Sequence, residues 1–167
     1  LIKKVKSSFS SIDILINCAG VFQIKPIEKC DNKEFDELLN VNLKAPFLLS
    51  KAFSKEMKKK KWGRIVNIGS SSSYSGFKNG TLYSSSKHGI LGLSRSLSSE
   101  LKDYNVRVFC ISPSSTQTDM SKISTDQDFK TFLNPKEVAE VVINVRKSEF
   151  EATVYLKREY LKKREIA

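Results

Sequence analysis

The chain alternates short apolar runs with longer amphipathic stretches. The apolar runs are rich in Ile, Val and Leu and predict β-strands at 12–17, 64–68, 106–111 and 152–156. Apolar residues at helical spacing predict helices near 33–60, 83–103 and 135–147. Because the strands are almost continuously apolar, we expect them to be covered on both faces, as in a parallel sheet. The order of elements therefore predicts an α/β fold of three layers.

Length and composition indicate one ordinary domain. The 167 residues are 40% hydrophobic and 28% charged, which is typical of a soluble globular protein. Cys18, Cys30 and Cys110 are odd in number and widely spaced, which fits neither a disulfide framework nor a zinc site. The chain has no apolar run of roughly 18 residues and no signal-peptide pattern at its N-terminus. We expect a single cytoplasmic domain, residues 1–167, with no bound metal and no membrane contact.

A net charge of +11 raises the question of nucleic acid. One basic cluster, Lys58 to Lys61, lies where a helix should end, just before Gly63. Cations there interact favourably with the helix dipole. No zinc-finger spacing or RNA-binding aromatic signature accompanies the charge, so nucleic acid is not expected as a partner.

Tyr83 and Lys87 stand four residues apart among small side chains, in GTLYSSSKHGI. On a helix this spacing places both on one face, where they can act on one small ligand. A cation beside a phenol favours the phenolate and would lower the pKa of Tyr83 from about 10. An isolated pair of this kind is more often ordinary helix surface, so the rest of the sequence must decide.

Small polar segments follow the first three predicted strands. They are NCAG after the first strand, GSSSSYSG after the second and SPSSTQTDM after the third. In open parallel sheets, ligands bind beyond the carboxyl ends of the strands. We therefore expect a ligand site at this edge.

The order and spacing of these segments resemble the short-chain dehydrogenase/reductase family. NCAG at 17–20 resembles the family's NNAG, RIVNIGS at 64–70 its serine strand and YSSSK at 83–87 its YxxxK. NVNLKAPF at 40–47 and SPSSTQTDM at 112–120 match two further family segments. The resemblance implies a Rossmann-like, doubly wound parallel sheet, NADP or NAD as cofactor, and hydride transfer with a small carbonyl or alcohol substrate.

Carried onto this sequence, the resemblance implies four catalytic residues. Tyr83 would be the general acid/base, Lys87 would lower its pKa and bind the nicotinamide ribose, and Ser70 would hydrogen-bond the substrate oxygen. Asn42 would disturb its helix and hold a water through its backbone carbonyl. Without this context Ser70 is a loop hydroxyl and Asn42 a buried polar residue. His88 points about 100° around the helix from Lys87 and is expected to serve packing or lie at the surface. The implied cofactor contacts are Asn17, Ala19, Gly20, Tyr83, Lys87, Pro113, Thr116 and Thr118.

The resemblance also implies a homodimer or homotetramer. The apolar stripes of helices 33–60 and 83–103 are the expected contact surfaces, with Phe47, Phe53, Leu93 and Leu97 as candidate residues. The substrate lid is expected between Met120 and Leu133. Tyr74 and Phe77 are expected to line a pocket for a small or mixed-polarity carbonyl compound.

The sequence departs from the family pattern at its beginning. It contains no TGxxxGxG loop, the segment that holds the cofactor pyrophosphate, and the family's first βαβαβ portion is missing. Leu1 to Ser10 resembles the end of the helix before strand 12–17, which is expected to be an exposed edge. Cys18 and Ser114 replace a family asparagine and glycine. Two hypotheses stay open: the catalytic C-terminal two-thirds of an oxidoreductase, and a truncated, non-catalytic relative that acts in protein–protein interaction. A TGxxxGxG segment encoded ahead of Leu1 would favour the enzyme.

Overall fold

A single parallel sheet forms the centre of the molecule. The computed structural model describes residues 1–123, 128–145, 147–148 and 153–156. Within these ranges the sheet has four strands in the order β1 (Ile14–Asn17), β2 (Gly63–Ile68), β3 (Val106–Pro113) and β4 (Thr153–Leu156). All three neighbouring pairs are parallel. The predicted α/β class and parallel sheet are confirmed.

In the part of the chain that the structure describes, five α-helices accompany the sheet. They are α1 (Ile2–Ser8), α2 (Asn32–Leu39), α3 (Ala45–Lys60), α4 (Thr81–Leu101) and α5 (Pro135–Val145). The prediction of one continuous helix over 33–60 was wrong, because a π-helical turn at Asn40–Lys44 separates α2 from α3. Such widened turns are common at functional sites. The helix end predicted at the lysine cluster is confirmed, since Lys58 to Lys60 form the last turn of α3.

The sheet is covered on both faces. One face carries a cluster to which α3 and α4 contribute, made of Leu15, Phe53, Met57, Ile65, Leu101, Val106 and Val108. On the other face Val66, Phe109 and Ile111 pack against α5. The alternation of Ile65 and Val66 between the two clusters follows the period of a strand. Phe53, predicted in a self-association surface, lies in this core instead and is only 6% exposed.

Strand β1 is an edge of the described sheet. It pairs with β2 in the register Ile14↔Arg64 to Asn17↔Asn67, and no described strand lies on its other side. Leu15 and Asn17 are buried, whereas Ile16 between them is 48% exposed. An apolar edge of this kind is open to further pairing, as the sequence predicted.

The start of α2 is fixed by a capping box. The Asp31 carboxylate accepts from the Glu34 backbone N–H at 2.8 Å, and the Glu34 carboxylate accepts from the Asp31 N–H at 3.0 Å. We expect Asp31→Ala to lower the free energy of unfolding by about 1 kcal/mol, because it leaves a helix N–H without its acceptor. Urea unfolding checks this, with Lys33→Ala as the matched change in the same turn. Equal losses in both variants would contradict the role of the cap.

The described residues contain neither a membrane-spanning helix nor a cluster of metal ligands. None of their helices is both long and apolar enough to span a membrane. Among them, no three His, Cys, Asp or Glu side chains cluster in a way that could hold a metal ion. The three cysteines are free thiols, of which Cys18 is exposed and Cys110 buried.

Candidate functional site

Tyr83 and Lys87 lie together on the inner face of α4. Both side chains are buried, with 8% and 6% of their surface exposed. The Lys87 Nζ donates to the backbone oxygen of Ile68 at 3.0 Å, at the carboxyl end of β2. It also lies 5.7 Å from the centre of the Tyr83 ring. The predicted pairing of a phenol and an ammonium at one site is therefore present.

Ser70 joins this pair from the loop after β2. Its hydroxyl accepts from the Ser72 N–H at 3.1 Å, within a short 3-10 turn at Ser71–Ser73. The Ser70 side chain also acts on the Tyr83 phenol, whose pKa it lowers by hydrogen bonding. The structure thus brings together Ser70, Tyr83 and Lys87, as the sequence led us to expect.

The electrostatics of the site differ from the sequence-based expectation. Burial raises the pKa of Tyr83, and the hydrogen bond from Ser70 acts against this rise. Burial also lowers the pKa of Lys87 to about 8, with smaller opposing effects from Cys110 and Cys18. The net shift in the pKa of Tyr83 is therefore upward in this structure, and the lowering effect of Lys87 stays a prediction. The ammonium is directed at the Ile68 carbonyl, and the desolvation of the phenol dominates.

Asn42 connects the loop after β1 to α4. Its Oδ1 accepts from the Val21 N–H at 2.8 Å, and its Nδ2 donates to the Val21 carbonyl at 2.9 Å. The Nδ2 also donates to the Ser86 Oγ at 3.0 Å. Asn42 is 2% exposed and lies in the π-helical turn, so its helix is disturbed as predicted. Its backbone role in holding a water stays a prediction.

Gly20 lies between Asn42 and Lys87. A Cβ at this position would stand 3.4 Å from the Asn42 Oδ1 and 3.8 Å from the Lys87 Nζ. The absent side chain therefore leaves a shallow space beside the buried ammonium. Ala19, the preceding residue, is exposed in the same loop after β1.

The side chain of Asn17 is buried and is not exposed at the carboxyl edge of the sheet. The side chain is 7% exposed and donates to the Asn67 Oδ1 at 2.7 Å. Asn67 in turn donates to the Ser94 Oγ of α4 at 2.9 Å. This amide belongs to a buried network linking β1, β2 and α4, and the predicted cofactor contact of Asn17 stays a prediction.

The segment after β3 carries the other predicted cofactor residues. Pro113 is buried at the end of β3, Thr116 is half-buried and Thr118 is exposed. The Thr116 Oγ1 donates to the Ser114 carbonyl at 3.0 Å. The buried Ser114 Oγ has no hydrogen-bond partner among the described residues. Part of the expected lid forms 3-10 turns at Asp119–Ile123 and Phe129–Thr131, and 124–127 fall outside the described residues.

One neighbour of the site was missed by sequence reasoning. The Phe22 ring packs edge-on against the Tyr83 ring, with centroids 4.7 Å apart. Its only sequence signal is that it follows NCAG by two residues, on the rim where ligands bind. His88 is exposed with its Nδ1 2.8 Å from the Ser84 carbonyl, so of the two predicted positions, packing or surface, the structure shows the surface.

The chain is similar in sequence to known proteins. The family model for short chain dehydrogenases matches residues 1–128. An uncharacterized oxidoreductase of Thermotoga maritima is 40% identical over 119 residues, which cover 71% of this chain and 47% of that protein. A 3-oxoacyl-acyl-carrier-protein reductase of Haemophilus influenzae is 35% identical over 127 residues, covering 76% and 52%.

The chain is also similar to solved structures. A 4-hydroxyisoleucine dehydrogenase complexed with NADH superposes with a TM-score of 0.82 at 30% identity, covering 92% of this chain and 71% of that one. A metagenomic short-chain oxidoreductase in complex with NADP has a TM-score of 0.75 at 29% identity, covering 93% and 65%.

The parallel sheet and the polar cluster at its carboxyl edge define a Rossmann-like α/β protein. More specifically, the chain belongs to the short chain dehydrogenase family. It spans about half the length of the curated relatives that it matches.

Proposed function

We propose that the protein carrying this sequence is an NAD(P)-dependent oxidoreductase that transfers hydride between a nicotinamide cofactor and a carbonyl or alcohol substrate. The observation that carries this proposal is the burial of Tyr83 and Lys87 side by side on one face of α4, with the Lys87 Nζ 5.7 Å from the centre of the Tyr83 ring. Two similar structures contain NADH and NADP respectively, which supports a nicotinamide cofactor and leaves both forms open.

The residues of the rim fit the nicotinamide half of such a cofactor. The space at Gly20, the buried Lys87 ammonium and the unpartnered Ser114 hydroxyl lie on segments of one sheet edge. When bound, the nicotinamide would supply or accept the hydride. We assign Lys87 to the ribose, Ala19 and Gly20 to the adenosine side, Pro113 and Thr116 to the nicotinamide, and Thr118 to the carboxamide or phosphates. For Asn17, only the backbone remains as a contact.

The chain's own residues would handle the proton. With its pKa raised by burial, Tyr83 holds its proton at neutral pH and can donate it to a carbonyl oxygen. Ser70 would hydrogen-bond the same oxygen and stabilise the charge that develops there. The phenolate left behind would be stabilised by the Lys87 ammonium. Lys87, whose pKa of about 8 is close to neutrality, would return a proton to the phenolate. A water held by the Asn42 carbonyl would then reprotonate Lys87.

Calorimetric titration of the 167-residue chain with NADPH and NADH tests how much of the site is needed for cofactor binding. We expect no binding at micromolar concentration, because the sequence lacks a glycine-rich loop to hold the pyrophosphate. The protein expressed from its complete gene provides the comparison, together with a carbonyl reduction assay. Micromolar binding by the 167-residue chain would contradict the expectation. If the complete gene product neither binds the cofactors nor reduces carbonyls, the non-catalytic alternative is favoured instead.

We also propose that the protein forms a homodimer or homotetramer through an apolar groove between the π-helical turn, α3 and α4. The groove is lined by Asp36, Leu39, Asn40, Leu43, Lys44, Phe47 and Leu93. Phe47 is 45% exposed, whereas Leu97, also predicted at the interface, packs partly against the core. Burial of such a groove against a second copy would remove apolar surface from water.

Replacing both Phe47 and Leu93 with serine should convert the oligomer to monomer, because both side chains line this groove. Sedimentation velocity at micromolar concentration measures the change. Phe35→Ser is the matched control, since Phe35 is 44% exposed on α2 and does not line the groove. A monomeric wild-type protein, or an unchanged oligomer in the double variant, would contradict the proposed interface.

A further inference from the structure

Three aromatic rings meet at the candidate site. Phe22 lies 4.7 Å from Tyr83 in an edge-on contact, and Phe77 lies 6.5 Å from Tyr83, measured between ring centroids. Phe22 and Phe77 are 6.3 Å apart, with their planes inclined by 29°. We call Phe22 and Phe77 the aromatic wall. It stands beside the hydroxyl to which the proposed function assigns proton transfer.

The fold holds both halves of the aromatic wall in place. Phe22 follows Val21, whose N–H and carbonyl are both hydrogen-bonded by Asn42. The loop carrying Phe77 is joined to the loop carrying Phe22 by a hydrogen bond from the Lys25 N–H to the Asn79 carbonyl at 2.8 Å. The wall is therefore a built feature of two connected loops.

Gly80 lets Phe77 fold back over the start of α4. A Cβ on Gly80 would stand 2.3 Å from the Phe77 Cζ, closer than any side chain allows. Glycine at this position is thus required by the position of the ring. Since Gly80 directly precedes α4, the ring is brought towards the turn that carries Tyr83.

The aromatic wall has exposed surface that a ligand can contact. Phe77 is 39% exposed and Phe22 is half-buried, while the Tyr83 side chain between them and α4 is almost fully covered. The cation of the Phe22 loop, Lys25, is paired with Glu34 at 2.6 Å. With that charge paired, the side of the Tyr83 ring that faces Phe22 and Phe77 is aromatic.

We propose that Phe22 and Phe77 select substrates whose carbonyl carbon bears a flat aromatic group, as in aryl ketones and aryl aldehydes. This inference rests on the proposed oxidoreductase function and specifies its substrate class. Aromatic rings prefer edge-on or offset contacts with one another, a geometry that a puckered aliphatic ring cannot reproduce. The phenyl group of such a substrate would contact the aromatic wall, while the carbonyl oxygen would face Ser70 and Tyr83.

Matched ketones test the inference on the protein expressed from its complete gene. Acetophenone and cyclohexyl methyl ketone have the same number of carbon atoms and differ in the flatness of the ring. In Phe22→Leu and Phe77→Leu, we expect the ratio of kcat/KM for acetophenone to that for cyclohexyl methyl ketone to fall roughly three- to tenfold, mainly through KM. Phe9→Leu, which changes an exposed ring on the far end of α1, should leave the ratio unchanged.

A purely structural role would lower kcat/KM for both ketones equally, and that result would overturn the inference. An unchanged ratio in both wall variants would also overturn it while leaving the oxidoreductase function intact. Binding is measured separately by saturation-transfer difference NMR with acetophenone. If the wild type binds NADPH or NADH but reduces neither ketone, the inference fails while the proposed function stands. Acetophenone ring signals that weaken in the wall variants support the aromatic site, and their absence from the wild type would refute it.

Discussion

Replacing Tyr83 with phenylalanine should lower the turnover of the protein expressed from its complete gene by at least about a hundredfold. General acid/base assistance is typically worth 10²–10⁴, and the phenol is the group placed to give or take the proton. The substitution keeps the ring and its edge-on contact with Phe22. It removes the hydroxyl and the hydrogen bond to Ser70. Steady-state kinetics measure the loss, and fluorescence titration with NADPH should show little change in cofactor affinity.

Tyr104→Phe is the matched control for this experiment. Tyr104 is 40% exposed and lies under the Lys58 ammonium at 4.2 Å, on a 3-10 turn after α4. Its loss of a hydroxyl should leave turnover unchanged. Near-normal turnover in Tyr83→Phe, or equal losses in the two variants, would remove Tyr83 from the proposed mechanism.

Lys87→Met should stabilise the fold at neutral pH while it damages the proposed chemistry. The pKa of Lys87 is lowered from 10.5 to about 8, so the folded state disfavours the charged form by about 3 kcal/mol. The variant also loses the hydrogen bond to the Ile68 carbonyl, which costs about 1 kcal/mol. We expect the free energy of unfolding at pH 7 to rise by about 2 kcal/mol.

The pH dependence identifies the cause of this stabilisation. Between pH 8 and 10.5 the unfolded chain binds more protons at Lys87 than the folded chain, so the wild type gains stability as the pH rises through this window. The advantage of Lys87→Met should therefore be full below pH 8, disappear towards pH 10.5 and then reverse slightly, because the lost hydrogen bond to the Ile68 carbonyl remains. Urea unfolding at pH 7 and pH 10.5 measures both values, with Lys51→Met on the exposed side of α3 as the control. An advantage independent of pH would refute burial of the charge as the cause.

The strands and the polar cluster could be predicted because both follow from local sequence. Continuous Ile and Val runs such as that of β3 fit only a strand covered on both faces, and a parallel sheet brings the segments after its strands to one edge. The fourfold spacing of Tyr83 and Lys87 then placed both on one face of α4. These relations require no knowledge of contacts between distant residues.

Other features depend on tertiary contacts. The π-helical turn forms where Asn42 bonds to Val21, a residue 21 positions away, so no local pattern predicts it. The apolar stripe of α3 is wide, and only packing shows that Phe53 faces the sheet whereas Phe47 faces outward. The pKa of Tyr83 likewise depends on where the Lys87 ammonium points and on how far the phenol is desolvated. Phe22 was missed because its significance lies in a contact through space.

The three hydrogen bonds of Asn42 couple the two sides of the proposed site. Its amide holds Val21, which lies between Gly20 on the proposed cofactor side and Phe22 on the proposed substrate side, and it ties this stretch to Ser86 of α4. If the proposed roles hold, a shift of the loop that widened the space for a larger cofactor would also displace the ring against which a substrate packs. During divergence, the choice of cofactor and the choice of substrate would then change together, unless position 42 changed first.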